Sequence, residues 1–271
     1  MKRLLVITIC VLITSNLLAQ KTERKGEFYF SWGYNKEWYT NSNIKVSQPS
    51  LGNAYTLKNT KLTDHPGWDE GLLSTPLSIP QYNYRIGYFF NKEKGLAFEI
   101  NFDHTKALIL DNQVVHLVGT VNNRMVDSSF VFSKTGTGNS KNYYYLNNGA
   151  NFLLFNIVKR NNYKKLSSKY FVFDGLSKFG IGPLIPHVEN SLFGKINDQG
   201  FQFGGWNVGA EYAIRSTFRK SLYLEFAGKL DYASYSNLKV YEGRAKQNFG
   251  TLEFILNLGY TLPMGPKVVK K

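Results

Sequence analysis

From residue 27 onward the chain alternates large apolar and polar residues with a period of two, the repeat of a β-strand whose two faces meet different surroundings. Phe28, Phe30, Trp32 and Tyr34 fall on one face, with Ser31, Gly33 and Asn35 on the other. Tyr82, Tyr84, Ile86, Tyr88 and Phe90 oppose Asn83, Arg85 and Gly87, and Leu96, Phe98, Ile100 and Phe102 oppose Glu99, Asn101 and Asp103. Three later segments repeat the pattern, from Trp206 to Ile214, from Leu222 to Phe226 and from Leu252 to Tyr260. No segment after the leader reads as an uninterrupted amphipathic helix, so the fold class is all-β.

A soluble two-sheet sandwich alternates in the same way. What separates it from a transmembrane barrel is which face is covered, and by what. The polar face holds Glu99, Asp103, Glu211, Glu225 and Glu253 together with Arg85, Lys178 and Lys229. In a barrel these charges pair inside a narrow lumen while the aromatic face meets lipid. Link lengths favour the barrel, because outer-membrane barrels alternate short periplasmic turns with long external loops. Short links fall near 91–95, 161–169 and 216–220, and long ones near 41–79, 110–142, 189–200 and 235–246.

These links predict an eight-stranded antiparallel transmembrane β-barrel with long external loops and both termini periplasmic. Its strands lie near 27–40, 80–91, 95–109, 143–160, 170–188, 201–217, 219–234 and 247–262. The run Phe152-Leu153-Leu154-Phe155 breaks the alternation, and a bulge is expected there. Tyr39, Tyr82, Tyr143 to Tyr145, Trp206, Tyr212, Tyr232 and Tyr260 lie near strand ends, where aromatic girdles sit.

The first residues add a route to the membrane. Lys2-Arg3 precedes an acid-free apolar run that ends at Leu17-Leu18-Ala19, which reads as a secretory signal peptide over residues 1–19, with the barrel domain over 20–271. Cys10, the single cysteine, lies inside that run, so the remainder has no thiol for a disulfide, a Cys-ligated zinc or a nucleophile. Removing Lys2 and Arg3 leaves 31 basic residues against 19 acidic ones, a net charge of +12. For an exported chain that charge points to anionic phospholipid or lipopolysaccharide headgroups rather than nucleic acid. The short turns share in it, through Lys92 and Lys94, Lys164, Lys165 and Lys169, and Arg219 and Lys220.

Candidate chemistry is sparse. His65, His104, His116 and His187 are the only histidines and have no metal-ligand spacing, so neither metal nor cofactor is expected. Two clusters join a histidine to a carboxylate at the external end of a strand: Asp103-His104-Thr105-Lys106 and Pro186-His187-Val188-Glu189. A histidine oriented by a carboxylate can act as acid or base, which makes Asp103, His104, His187 and Glu189 the candidate catalytic residues. Neighbours on one strand face opposite ways, so Asp103 and His104 pair only across a bulge; otherwise both clusters are polar strand ends. No G-x-S-x-G is present to mark a serine nucleophile.

Four segments carry a resemblance. They are Asn101 to Lys106, Leu146-Asn147-Asn148-Gly149-Ala150-Asn151, the G-x-G-x-x-I-P-H-V-E stretch from Gly180 to Glu189, and Gly205 to Tyr212. Over roughly residues 80–262 the chain resembles the lipid A oxidase-like family of outer-membrane barrels. Members often carry a histidine before the glycine of the second segment, where this chain has Asn148. The resemblance implies an eight-stranded outer-membrane barrel and, in some members, oxidation of the lipid A sugar headgroup.

The expectation is therefore a monomeric integral protein of the outer membrane whose partners are outer-membrane lipids and lipopolysaccharide. The alternative is a lipid A-modifying enzyme of oxidase or acyl-chain hydrolase type. A passive pore or adhesion scaffold fits less well, because eight strands enclose an interior just wide enough for side chains.

Overall fold

The computed structural model describes residues 24–68 and 81–267, and the expected signal peptide lies outside them. In chain order the strands are β1 (Arg24–Tyr39), β2 (Ser42–Gln48), β3 (Asn53–Thr60), β4 (Leu62–Asp64), β5 (Tyr82–Asn91), β6 (Leu96–Asp103), β7 (Ala107–Ile109), β8 (Gln113–Val121) and β9 (Arg124–Phe132). They continue with β10 (Tyr143–Leu146), β11 (Phe152–Asn162), β12 (Phe171–Leu184), β13 (Val188–Leu192), β14 (Lys195–Gln199), β15 (Gly205–Phe218), β16 (Leu222–Val240) and β17 (Gly243–Lys267). Strands β1, β5, β6, β11, β12, β15, β16 and β17 pair in that order, and β17 returns to β1 to close an eight-stranded antiparallel barrel. Closure leaves the barrel wall no open edge, which a membrane requires because lipid offers no hydrogen bonds to a free strand.

The alternation in sequence becomes an inside and an outside. Phe30, Ile86, Phe98, Phe179, Ile214, Phe226, Phe254 and Leu258 are all exposed on the outer wall, whereas Ser31, Arg85, Glu99, Lys178, Glu225 and Glu253 are buried inside. Among the described residues no second sheet covers the aromatic face. A soluble chain would bury these side chains, each of which gains about 1.5–3 kcal/mol on leaving water, so hydrocarbon is the solvent this wall fits.

Toward the periplasmic end the lumen is filled by a buried cluster that includes Tyr29, Phe89, Leu176, Tyr223 and Ile255. Tyr29 and Tyr223 each lie opposite a glycine on the neighbouring strand, Gly87 and Gly259, and a Cβ at either glycine would run into the ring. Small residues at those two positions let the tyrosines lie flat across the wall.

Among the described residues much of the external segments is strand rather than loop. Strands β16 and β17 rise past the wall and meet in a two-residue turn at Tyr241-Glu242, so 235–246 continues a hairpin where the sequence suggested a long link. Beside the projecting β17 the sheet adds β2, β3, β8 and β9, while β14, β13, β10, β7 and β4 form a second sheet. Ile44, Leu57, Leu117, Tyr144, Val188, Leu192, Leu238 and Phe249 share one buried core with contributions from both sheets. The result is a two-layer cap seated on the outer mouth of the barrel.

The cap explains where the expected strand limits fail. Residues 95–109, 143–160 and 170–188 each divide into a barrel strand and a cap strand, as β6 and β7, β10 and β11, and β12 and β13. No bulge interrupts β11, whose register with β6 runs unbroken from Phe152 to Lys159. Phe152 and Leu154 face inward under the cap while Phe155 faces out, so both faces are apolar at that level and the alternation is hidden. Tyr39 and Tyr143 to Tyr145 belong to the cap and its junction rather than to a girdle, whereas Trp206, Tyr212 and Tyr232 stand exposed on the outer wall.

Candidate functional site

Inside the barrel the inward faces of β5, β6, β12, β15, β16 and β17 deliver ionic groups to a common layer. The Arg85 guanidinium lies 3.0 Å from Glu211, 3.5 Å from Glu99 and 3.6 Å from Asp103. Lys178 Nζ meets Glu99 at 3.1 Å, Glu211 at 3.0 Å and Glu225 at 2.9 Å. Lys229 pairs with Asp103, with Asp231 at 2.9 Å and with Glu253 at 3.3 Å. Arg215 Nε donates to Glu225 at 2.7 Å while its guanidinium is sandwiched between the rings of Tyr29 and Tyr223, at 4.6 and 4.0 Å. Sequence reasoning missed Arg215 and Asp231, although each has the parity of a charge already placed inside, Arg215 with Glu211 and Asp231 with Lys229.

Asp103 belongs to this layer. Its carboxylate accepts from Asn101 Nδ2 at 2.6 Å and pairs with Lys229, so it faces away from His104 as strand geometry requires. His104, one residue past the end of β6, stacks on Tyr82 with ring centroids 4.7 Å apart. Its Nδ1 is 2.8 Å from Asn151 Oδ1.

Asn151 is the pivot of the outer rim. Its Nδ2 donates to Ile185 O at 2.9 Å, and the Ala150 amide donates to Thr105 O at 2.7 Å. The His187 amide donates to Gly149 O at 2.9 Å, and Asn148 Nδ2 is 3.5 Å from His187 Nδ1. Gly149 has φ 131°, in the region that suits glycine, and a Cβ there would meet the Asn151 carboxamide. Three segments far apart in sequence, 101–106, 146–151 and 180–189, are thus tied together at one corner of the mouth.

The carboxylate facing His187 is Asp198, whose Oδ1 lies 3.6 Å from Nε2; no hydrogen bond or ion pair joins His187 to Glu189. Glu189 sits opposite Asp198 across the β13–β14 hairpin and opposite Tyr145 on the other side. The ring of the exposed Phe201 meets the His187 imidazole edge-on at 5.5 Å. The imidazole thus has a carboxylate at 3.6 Å from one nitrogen and an amide at 3.5 Å from the other, both at the long limit of direct contact, with an exposed aromatic ring beside it.

Burial, opposed only by the hydrogen bond to Asn151, holds the His104 imidazole down at about 4. An unfolded histidine titrates near 6.5, so between roughly 6.5 and 4 the unfolded chain binds more protons and rim stability falls with pH, by about 3 kcal/mol at the lower limit. His104→Gln is expected to remove that slope in thermal unfolding followed from pH 7 to pH 4. An unchanged slope would assign the proton elsewhere.

Closed register, an apolar outer wall and a charge-filled lumen leave one architecture. The chain is an outer-membrane-type β-barrel. No family model matches it, and no curated protein does. Among solved structures it is similar to the outer membrane protein OprG of Pseudomonas aeruginosa, at 10% identity over 90% of this chain and 99% of that one, with a TM-score of 0.37. The attachment invasion locus protein Ail of Yersinia pestis, in complex with the heparin analogue sucrose octasulfate, is 14% identical over 88% of this chain and 99% of its own, with a TM-score of 0.33. The outer membrane protease OmpT of Escherichia coli is 9% identical over 88% and 97%, with a TM-score of 0.35. At these identities and TM-scores no function passes from those proteins to this barrel.

Proposed function

We propose that this barrel resides as a monomer in the outer membrane of a Gram-negative bacterium, where its rim and cap engage lipopolysaccharide. The observation that carries the reading is the outer wall, an uncovered apolar belt that ends at Trp38, Trp206 and Tyr232, directly beneath a cap whose outer surface carries lysine and arginine. Such a molecule migrates differently on gels with and without heating and fractionates with the outer membrane; recovery as a freely soluble periplasmic protein would overturn the reading.

A second reading, modification of lipid A by an oxidase or hydrolase, is favoured by the convergence of His104, Asn151, His187 and Asp198 at the membrane-facing rim. Asp103 enters this reading only as a lumen charge that fixes the strand end. Mass spectra of lipid A from strains with and without the gene decide it, and identical spectra remove it.

Conduction is disfavoured by the filled lumen. Planar-bilayer recording is expected to give no steady conductance, and a stable open level would show that the Arg85–Lys178 layer is not a seal.

A further inference from the structure

The outer surface of the projecting sheet carries an arrangement that folding alone disfavours. On β16 and β17, Lys239 lies directly opposite Arg244, and two residues along β17, Lys246 lies directly opposite Lys45 of β2. Lys58 follows on β3, diagonal to Lys45. Alternation puts these five on one face, since their strand neighbours Leu238, Val240, Ala245, Val46 and Leu57 are all buried in the cap core. Directly opposed side chains have Cβ atoms about 5 Å apart, and like charges at that separation are destabilising.

Among the described residues no carboxylate forms an ion pair with any of the five. The nearby acids are used otherwise: Glu242 accepts from Ser50 Oγ at 2.8 Å, and Asp127 pairs with His116. Two opposed cation pairs with a fifth cation beside them, across four adjacent strands about 4.8 Å apart, form a band that an anion with several charges would neutralise.

We infer that this band, Lys239, Arg244, Lys246, Lys45 and Lys58, is a binding site for the clustered phosphates of an anionic outer-leaflet glycolipid. It rests on the reading given above and specifies where the lipid is held. Orientation and height select this source. The band faces sideways, on the same side of β17 as Leu252, Phe254 and Leu256 of the apolar belt. Lys246 lies six residues beyond Leu252; at a rise of about 3.4 Å per residue and a strand tilt near 40°, that places it roughly 15 Å above the belt. Phospholipid headgroups extend only about 6 Å past the hydrocarbon, so at that height the anions alongside are those borne on the sugars of a glycolipid.

The test uses the full chain in phospholipid nanodiscs, with phosphorylated rough lipopolysaccharide, the same material after chemical dephosphorylation, and a heparin oligosaccharide as probes. The wild type is expected to bind the phosphorylated form at least tenfold more tightly than the dephosphorylated one, with a steep salt dependence. K45S/R244S/K246S is expected to lose that preference while its heat-modification midpoint stays the same or rises, because like-charge repulsion is relieved. Wild-type binding with the preference intact in the variant overturns the site alone. No binding by the wild type overturns the site and the lipopolysaccharide reading together. Heparin binding that abolishes no lipopolysaccharide binding, yet is lost in the variant, assigns the band to a sulfated soluble glycan and overturns the glycolipid.

Discussion

Replacing Lys229 with methionine is expected to cost the barrel about 3–5 kcal/mol, the size of loss found when one partner of a buried ion pair is removed. Lys229 is buried and its ammonium pairs with Asp103, Asp231 and Glu253. Methionine fills much the same volume, so the change isolates charge from packing. Three carboxylates then face one another inside the lumen, with Arg85 the nearest remaining cation, 3.6 Å from Asp103. A less buried pair makes the contrast: Lys36 and Asp64 are 2.7 Å apart, but the lysine side chain is one-third exposed and the Asp64 carboxylate also accepts from the Glu37 amide at 3.1 Å, so Lys36→Met is expected to cost clearly less than Lys229→Met. Denaturant unfolding in lipid vesicles reads both. Adding Glu253→Gln to Lys229→Met is expected to restore part of the loss, because it leaves one carboxyl group fewer without its cation. A Lys229→Met loss below about 1 kcal/mol would mean that water or protonation relieves the cluster, and that the layer is not a rigid seal.

The barrel was legible in sequence because membranes impose two regular signals at once. Lipid demands an apolar residue at every second position of the wall, and outer-membrane barrels join their strands by short turns at the periplasmic end. The strands Arg24–Tyr39, Tyr82–Asn91 and Gly205–Phe218 obey both, and the charges assigned to the lumen, from Arg85 to Glu253, lie inside. What stayed hidden was the cap. Its strands β4, β7 and β10 are three or four residues long, too short for a period to declare itself, and their partners lie in distant links. Tyr143 to Tyr145 are buried in succession, because the strand end is covered on both sides, which erases alternation. Within the candidate site, sequence proximity pointed to the wrong pairs. Asp103 is next to His104 in the chain but turned away from it, whereas Asp198, the residue that faces His187, becomes a neighbour only through the β13–β14 hairpin.

Tyr235→Ala is expected to loosen the cap while leaving the barrel closed. Tyr235 sits where β16 leaves the wall; its ring packs against Phe249 at 5.4 Å and its hydroxyl donates to Ala150 O at 2.8 Å. Removing a buried ring of this size costs about 3–5 kcal/mol, and here the cavity opens within the core shared by the two cap sheets. Membrane-spanning pairs such as Glu225 with Arg215 lie outside that core, so the loss falls on the cap. Protease added to vesicles is expected to cut within 110–142 in the variant and spare the wild type, while the heat-modified gel shift stays within a few degrees. Tyr235→Phe, which gives up only the hydrogen bond, is expected to lose about 1 kcal/mol and remain resistant. If the gel shift fell in step with protease resistance, cap and barrel would be one cooperative unit. The cation band on the projecting sheet would then be anchored by the barrel itself rather than by the cap core, because β16 and β17 run through both.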